Sequence, residues 1–189
     1  RTGCLFSVAT TTLSQKRITL NVVMGDKIII VGGNGAGKTT LLNYLYELIE
    51  KRNFLKAGDT FAVGGRFSFV YIKQDWYEHV DDIKVSEYAG RFGLSKQEIF
   101  KSLSLNGLDE RNYERKFKDL SPGVRIKILL GVLSSKKFDL IIWDEPTNHL
   151  DVMTQVILRE AFEKYLGTLI IVSHDKILMS SKIFRRIEV

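Results

Sequence analysis

Gly32-Gly33-Asn34-Gly35-Ala36-Gly37-Lys38-Thr39 has the spacing G-x-x-x-x-G-K-[ST]. Glycines at this density let the backbone curl until successive N–H groups face one anion. The β-branched run Lys27–Val31 precedes the loop. A stretch with Leu41, Leu42, Leu45, Leu48 and Ile49 at spacings of three and four follows it. The loop therefore joins a buried strand to the N-terminus of a helix, whose partial positive charge favours phosphate. Lys38 is placed to reach β- and γ-phosphates, and Thr39 to bind Mg²⁺. Gly32, Gly33, Asn34, Gly35, Ala36, Gly37, Lys38, Thr39 and Thr40 form the candidate nucleotide-binding segment.

A second run, Asp139–Trp143, ends in two acids, Asp144 and Glu145. In a parallel sheet, ligands collect at the carboxyl ends of the strands. Asp144 is thus placed to hold Mg²⁺, directly or through water. Glu145, one residue on, points to a different side and is a candidate to polarise a water for in-line attack on a γ-phosphate. Beside a phosphate loop the two acids read as chemistry. Without one they would read as solvated acids at a strand end.

The elements that must position these groups alternate. Leu5–Val8 and Ile18–Val23 read as strands before a turn at Met24-Gly25-Asp26, and Phe61–Val63 and Phe67–Ile72 as two more. Asp139–Trp143 and Thr168–Val172 are apolar enough to be buried on both faces, and Ile183–Val189 is a candidate last strand. Helices are expected at Lys38–Lys51, Val85–Phe92, Lys96–Leu103, Pro122–Leu133, Asp151–Tyr165 and Asp175–Ser181. Ser95 with Glu98 is a capping box, and Pro122 suits a first helical turn. The expected fold is α/β: a mainly parallel sheet core flanked by helices, an antiparallel N-terminal β part and an inserted helical subdomain at about 84–120.

With 189 residues, the chain is expected to form a single domain, and 44% apolar with 26% charged residues excludes wholesale disorder. One cysteine, Cys4, excludes an internal disulfide and fits a reducing compartment. No run approaches the ~18 apolar residues of a membrane span, so no direct membrane insertion is expected. No signal peptide is visible, and a chain beginning at Arg1 reads as a fragment. The net charge of +6 permits an anionic partner. Arg125, Lys127, Lys136, Lys137, Arg185 and Arg186 are candidate RNA-facing positions, although solvated faces explain them as well.

Further motifs fall in a fixed order after the phosphate loop: Gln74 in Tyr71-Ile72-Lys73-Gln74, then Leu120-Ser121-Pro122-Gly123-Val124, then Asp144-Glu145-Pro146-Thr147-Asn148-His149-Leu150-Asp151, and finally Ser173-His174-Asp175. Taken singly, Gln74 would pass as a loop residue, His174 as structural and Ser121 as a helix cap. In this order they resemble the ATP-binding-cassette (ABC) superfamily of P-loop NTPases over nearly the whole chain. The resemblance implies ATP and Mg²⁺ as cofactors, and ATP hydrolysis in a sandwich with a second cassette, on the same chain or in a homodimer. Glu145 would be the general base, and His174 would contact the γ-phosphate. Gln74, with Thr39 and Asp144, would complete the Mg²⁺ shell. Ser121 and Gly123 would bind the γ-phosphate held by the second cassette, and Asp151 would lie across the seam.

Pro122 and Val124 depart from the usual LSGGQ signature, and Pro122 removes a backbone N–H. The family's adenine-stacking aromatic has no counterpart in Ala9–Gln15, and Phe6 comes early. Asn148-His149-Leu150-Asp151 resembles the ABC-F branch, whose members carry two cassettes on one chain and act on the ribosome, some of them protecting it from antibiotics. That branch implies a cytoplasmic protein and a ribosomal or rRNA partner. The compact segment between Gln74 and Ser121 resembles a second cassette. The alternative is the ATP-binding subunit of a membrane transporter, with permease domains as partners.

Overall fold

The computed structural model describes residues 3–11, 17–51 and 59–189. Residues 12–15, part of the Ala9–Gln15 stretch that holds no adenine-stacking aromatic, lie outside them. The chain divides into two compact units. The first contains residues 1–74, 139–146 and 165–189, and the second residues 75–138 and 147–164.

In the first unit, β1 (Cys4–Thr11), β2 (Arg17–Val23) and β4 (Thr60–Val63) form an antiparallel sheet in the order β2-β1-β4. Alternation is strict along β2. Ile18, Leu20 and Val22 of β2 are buried, and the residues between them are exposed. β3 (Lys27–Val31), β5 (Phe69–Ile72), β6 (Leu140–Asp144), β7 (Thr168–Val172) and β8 (Arg185–Glu188) form the parallel sheet, in the order β5-β6-β7-β3-β8. β6 and β7 are buried along their whole length, as continuous apolar runs covered on both faces require. Fully burying each branched side chain there contributes about 1.5–3 kcal/mol. α1 (Lys38–Lys51) and α6 (Lys176–Ser180) complete the unit. Leu42, Leu45 and Leu48 of α1 share one core with Phe6, Leu20, Ile28 and Ile142.

The register decides the site. Val172 of β7 stands opposite Ile30 of β3 on one side and Asp144 of β6 on the other. The chain that follows each strand therefore leaves the same sheet edge. One delivers the glycine loop, one Ser173-His174, and one Glu145.

The second unit is helical: α2 (Val85–Arg91), α3 (Lys96–Leu105), α4 (Pro122–Lys136) and α5 (Val152–Lys164). Ser95 and Glu98 form the reciprocal cap at the start of α3. Trp76 and Tyr88 stand edge-on to Phe117, with ring centroids 6.0 and 5.0 Å away, so Trp76 is packed. Several elements differ at their bounds from the sequence expectation. β5 begins at Phe69 rather than Phe67, and α4 runs on to Lys136, where Lys137 closes it with φ 51°. Residues Glu110–Glu114 and Phe117–Asp119 are 3-10 turns, the first capped by the Asp109 carboxylate.

Candidate functional site

The loop after β3 needs left-handed backbone at Gly35 (φ 77°) and Gly37 (φ 91°), where a Cβ would be strained. From the first turn of α1 the Lys38 ammonium folds back. It donates to the carbonyls of Gly32 and Gly33, each at 2.9 Å. The lysine thus closes a ring with its own loop and holds a buried positive charge against it. The Thr39 hydroxyl lies near enough to the Asp144 carboxyl to favour its charged form.

Asp144 is 1% exposed, and its Oδ1 has no hydrogen-bond partner. Burial raises its pKa, against the pull of the Thr39 hydroxyl, Lys38 and His174. A buried carboxylate oxygen with nothing to accept from is an incomplete site. A hard cation that takes oxygen ligands, with Thr39 and Asp144 as protein donors and phosphates supplying others, completes it. These residues fit Mg²⁺. Among the described residues no cluster of three or more His, Cys, Asp or Glu stands ready to hold a metal. A cation shared with phosphate does not need one.

Glu145 sits at φ 48°, in the left-handed region that side chains avoid at a cost of order 1–3 kcal/mol. Its backbone N–H donates to the Val172 carbonyl at 2.9 Å, which fixes this turn to the end of β7. Both carboxylate oxygens then meet one residue. His174 Nε2 lies 3.0 Å from Oε1, and the His174 backbone N–H reaches Oε2 at 3.3 Å. Burial raises the Glu145 pKa, while His174 opposes the rise. The result is a carboxylate more basic than an exposed one, beside a half-exposed imidazole. Such a pair can accept a proton from water and orient it.

Lys38, Thr39, Asp144, Glu145 and His174 are therefore gathered at one sheet edge. Gln74 follows β5, the strand beside β6, and is exposed. Ser121 and Gly123 belong to the second unit. Ser121 caps α4, with its Oγ accepting from the Val124 N–H at 3.4 Å. A Cβ on Gly123 would stand 2.8 Å from the Thr154 hydroxyl. That hydroxyl is held by Asp151 Oδ2 at 3.0 Å. Phe6 is wholly buried in the core and has no face to offer a base. Of the candidate RNA-facing cations, Arg125 is bound to Asp81 and Arg185 to Asp26. The sequence carried no sign of the Glu145 backbone conformation or of its two contacts with His174.

A five-stranded parallel sheet with a lysine-closed glycine loop, a strand-end Asp-Glu pair and a histidine at the same sheet edge is the architecture of a P-loop NTPase. The family model described as ABC transporter matches residues 15–148, and the chain belongs to the ABC family of ATPases. It is 35% identical over 166 residues to an erythromycin resistance ATP-binding protein, MsrA, of Staphylococcus epidermidis, covering 86% of this chain and 32% of that protein. It is 30% identical over 168 residues to the ribosome protection protein VmlR of Bacillus subtilis, covering 85% of this chain and 28% of that one. Its relatives include ABC-F family members. The fold also matches an ATP-binding cassette of an ABC transporter in its ADP conformation. The TM-score is 0.66 at 19% identity, covering 90% of this chain and 81% of that one. The chain spans about a third of the length of the curated relatives it matches. It is an ATP-binding cassette of the ATPase class, for which ATP with Mg²⁺ is the usual cofactor. No described helix is long and apolar enough to cross a membrane.

The unpaired Asp144 oxygen makes a testable demand on stability. Because burial raises its folded-state pKa, the native state holds this proton more tightly than the unfolded chain. The carboxyl's contribution is favourable below the ordinary Asp range and is lost as pH rises through the raised native value. Asp144→Asn is expected to stabilise the nucleotide-free protein by about 1–2 kcal/mol at pH 7.5, with the gain shrinking as pH falls. Adding Mg²⁺ and ATP should raise the melting temperature of the parent protein far more than that of the variant. Thermal melts at several pH values, with and without Mg²⁺, check this. A variant less stable than the parent at pH 7.5 would mean that Asp144 is not an uncompensated charge.

Proposed function

We propose that this chain is one cassette of a cytoplasmic ABC-F factor. It binds ATP with Mg²⁺, closes head-to-tail on a second cassette and hydrolyses the nucleotide slowly while acting on the ribosome. The observation that carries the chemistry is the buried Glu145 carboxylate, held through both oxygens by His174 beside Asp144. Lys38 and the loop N–H groups bind the phosphates. Thr39 and Asp144 hold Mg²⁺, with Gln74 completing the shell. The cation supplies charge neutralisation on the phosphates. Glu145 takes the proton of the attacking water, and His174 contacts the γ-phosphate. Ser121 and Gly123 reach the γ-phosphate held by the second cassette, and Asp151 lies at the seam. Catalysis is then positioning and charge placement, without a covalent intermediate.

The ribosomal reading is supported by the Asn148-His149-Leu150-Asp151 run and by relatives whose names speak of erythromycin resistance and ribosome protection. A transporter subunit is the second reading, supported by the likeness to a transporter's cassette. The full-length protein carrying Glu145→Gln is expected to sediment with ribosomes only when ATP is present. Association with membranes while ribosomes stay bare would overturn the ABC-F reading in favour of the transporter.

A further inference from the structure

Arg125 occupies the first turn and a half of α4, close to the positive end of the helix, where a cation is disfavoured. It is nonetheless turned inward, with a side chain only 17% exposed. Nη1 donates to Asp81 Oδ1 at 2.8 Å, and Nε donates to the Leu120 carbonyl at 3.0 Å. The second bond holds the peptide that leads directly into Ser121. The Arg125 N–H also donates to the Ser121 carbonyl and the Leu120 N–H to the Phe117 carbonyl, each at 3.0 Å, but the Leu120 carbonyl is met by the guanidinium, the cap from Ser121 to Val124 is long at 3.4 Å, and Pro122 has no N–H to give. Asp81 is itself fixed. Its carbonyl accepts from the Lys118 N–H at 2.9 Å, and two residues on the Ile83 carbonyl accepts from the Phe117 N–H at 3.0 Å. These residues end the run of turns, 75–83, that leaves Gln74.

We propose that Arg125 is a positioning residue. By bridging Asp81 to the Leu120 carbonyl, it makes the segment after Gln74 and the signature serine Ser121 move as one piece. It orients Ser121 toward nucleotide held by the second cassette without touching that nucleotide. This rests on the role given to Ser121 above. The planar guanidinium is needed because two acceptors must be met at once in a fixed fork. The charge on Asp81 is needed because it offsets a cation at the wrong end of a helix.

The test uses the full-length protein and compares Arg125→Met, Arg125→Lys, Asp81→Asn, Ser121→Ala and the double variant Ser121→Ala/Arg125→Met. Steady-state turnover, ATP affinity and melting temperature are measured for each. Arg125→Met and Asp81→Asn are expected to lower kcat roughly tenfold with ATP affinity and melting temperature little changed. Arg125→Lys should recover part of the loss. The double variant should be no slower than Ser121→Ala alone, since residues acting through one another do not add. Additive losses in the double variant, or losses that merely track melting temperature, would overturn the proposal. Full turnover in Ser121→Ala would overturn the role of Ser121, and the proposal with it. If Arg125→Met fails to fold, Asp81→Asn carries the same comparison, because the Asp81 side chain is 42% exposed.

Discussion

Glu145→Gln is expected to leave ATP binding intact and to reduce turnover by about 10²–10⁴-fold, the range for loss of a positioned general base. The change is nearly isosteric, so the backbone bond from Glu145 to the Val172 carbonyl survives. An amide oxygen can still accept from His174. What it cannot do is take a proton. The same residue fixes the pH dependence. Burial lifts the Glu145 pKa above the ordinary glutamate range, so the base loses its proton-free form as pH falls through that raised value. The acid limb of the pH–rate profile should therefore lie above the usual carboxylate range in the parent and be absent from the residual rate of the variant. Stopped-time phosphate release, with nucleotide binding measured in parallel, reads both. Undiminished hydrolysis would remove Glu145 as the base.

Much of this site is legible without coordinates because its parts are local. A phosphate loop needs glycines, a preceding strand and a following helix, and all three are contiguous from Lys27 to Lys51. The strand-end acids are legible for the same reason, since β6 is an unbroken apolar run. What a single sequence hides is set by register and by backbone strain. That His174 meets Glu145 follows from Val172 standing opposite Asp144, a pairing between strands more than twenty residues apart. The φ of 48° at Glu145 has no local cause, because glutamate does not prefer it; the surrounding structure imposes it. The partnership of Arg125 with Asp81 is hidden likewise. Charge counts suggest a solvent-facing or RNA-facing arginine, whereas helix packing turns it inward. The 3-10 turns around Glu110–Asp119 lack the long apolar periodicity from which helices are read.

Lys38→Ala is the second large effect, and it tests the loop rather than the chemistry. The ammonium donates to two backbone carbonyls of its own loop. These bonds keep the charge desolvated yet satisfied. When a nucleotide enters, phosphate oxygens become better acceptors than carbonyls, because a charged acceptor strengthens the bond. Removing the lysine forfeits a charge-assisted contact of about 1.5–3 kcal/mol, so ATP should bind on the order of ten- to a hundredfold more weakly. Lys38 is nearly buried, so truncation also removes the packing of its stem. Lys38→Met keeps that stem and isolates the charge. Equal losses of ATP affinity in the two variants would assign the effect to the ammonium, and a loss confined to Ala would assign it to packing. Unchanged affinity in both would mean that this glycine loop does not bind phosphate, and the roles given to Thr39, Asp144 and Glu145 would fall with it. Equilibrium binding of ATP and of ADP separates the phosphates the lysine serves. If the ammonium reaches the γ-phosphate, the variants should lose more affinity for ATP than for ADP.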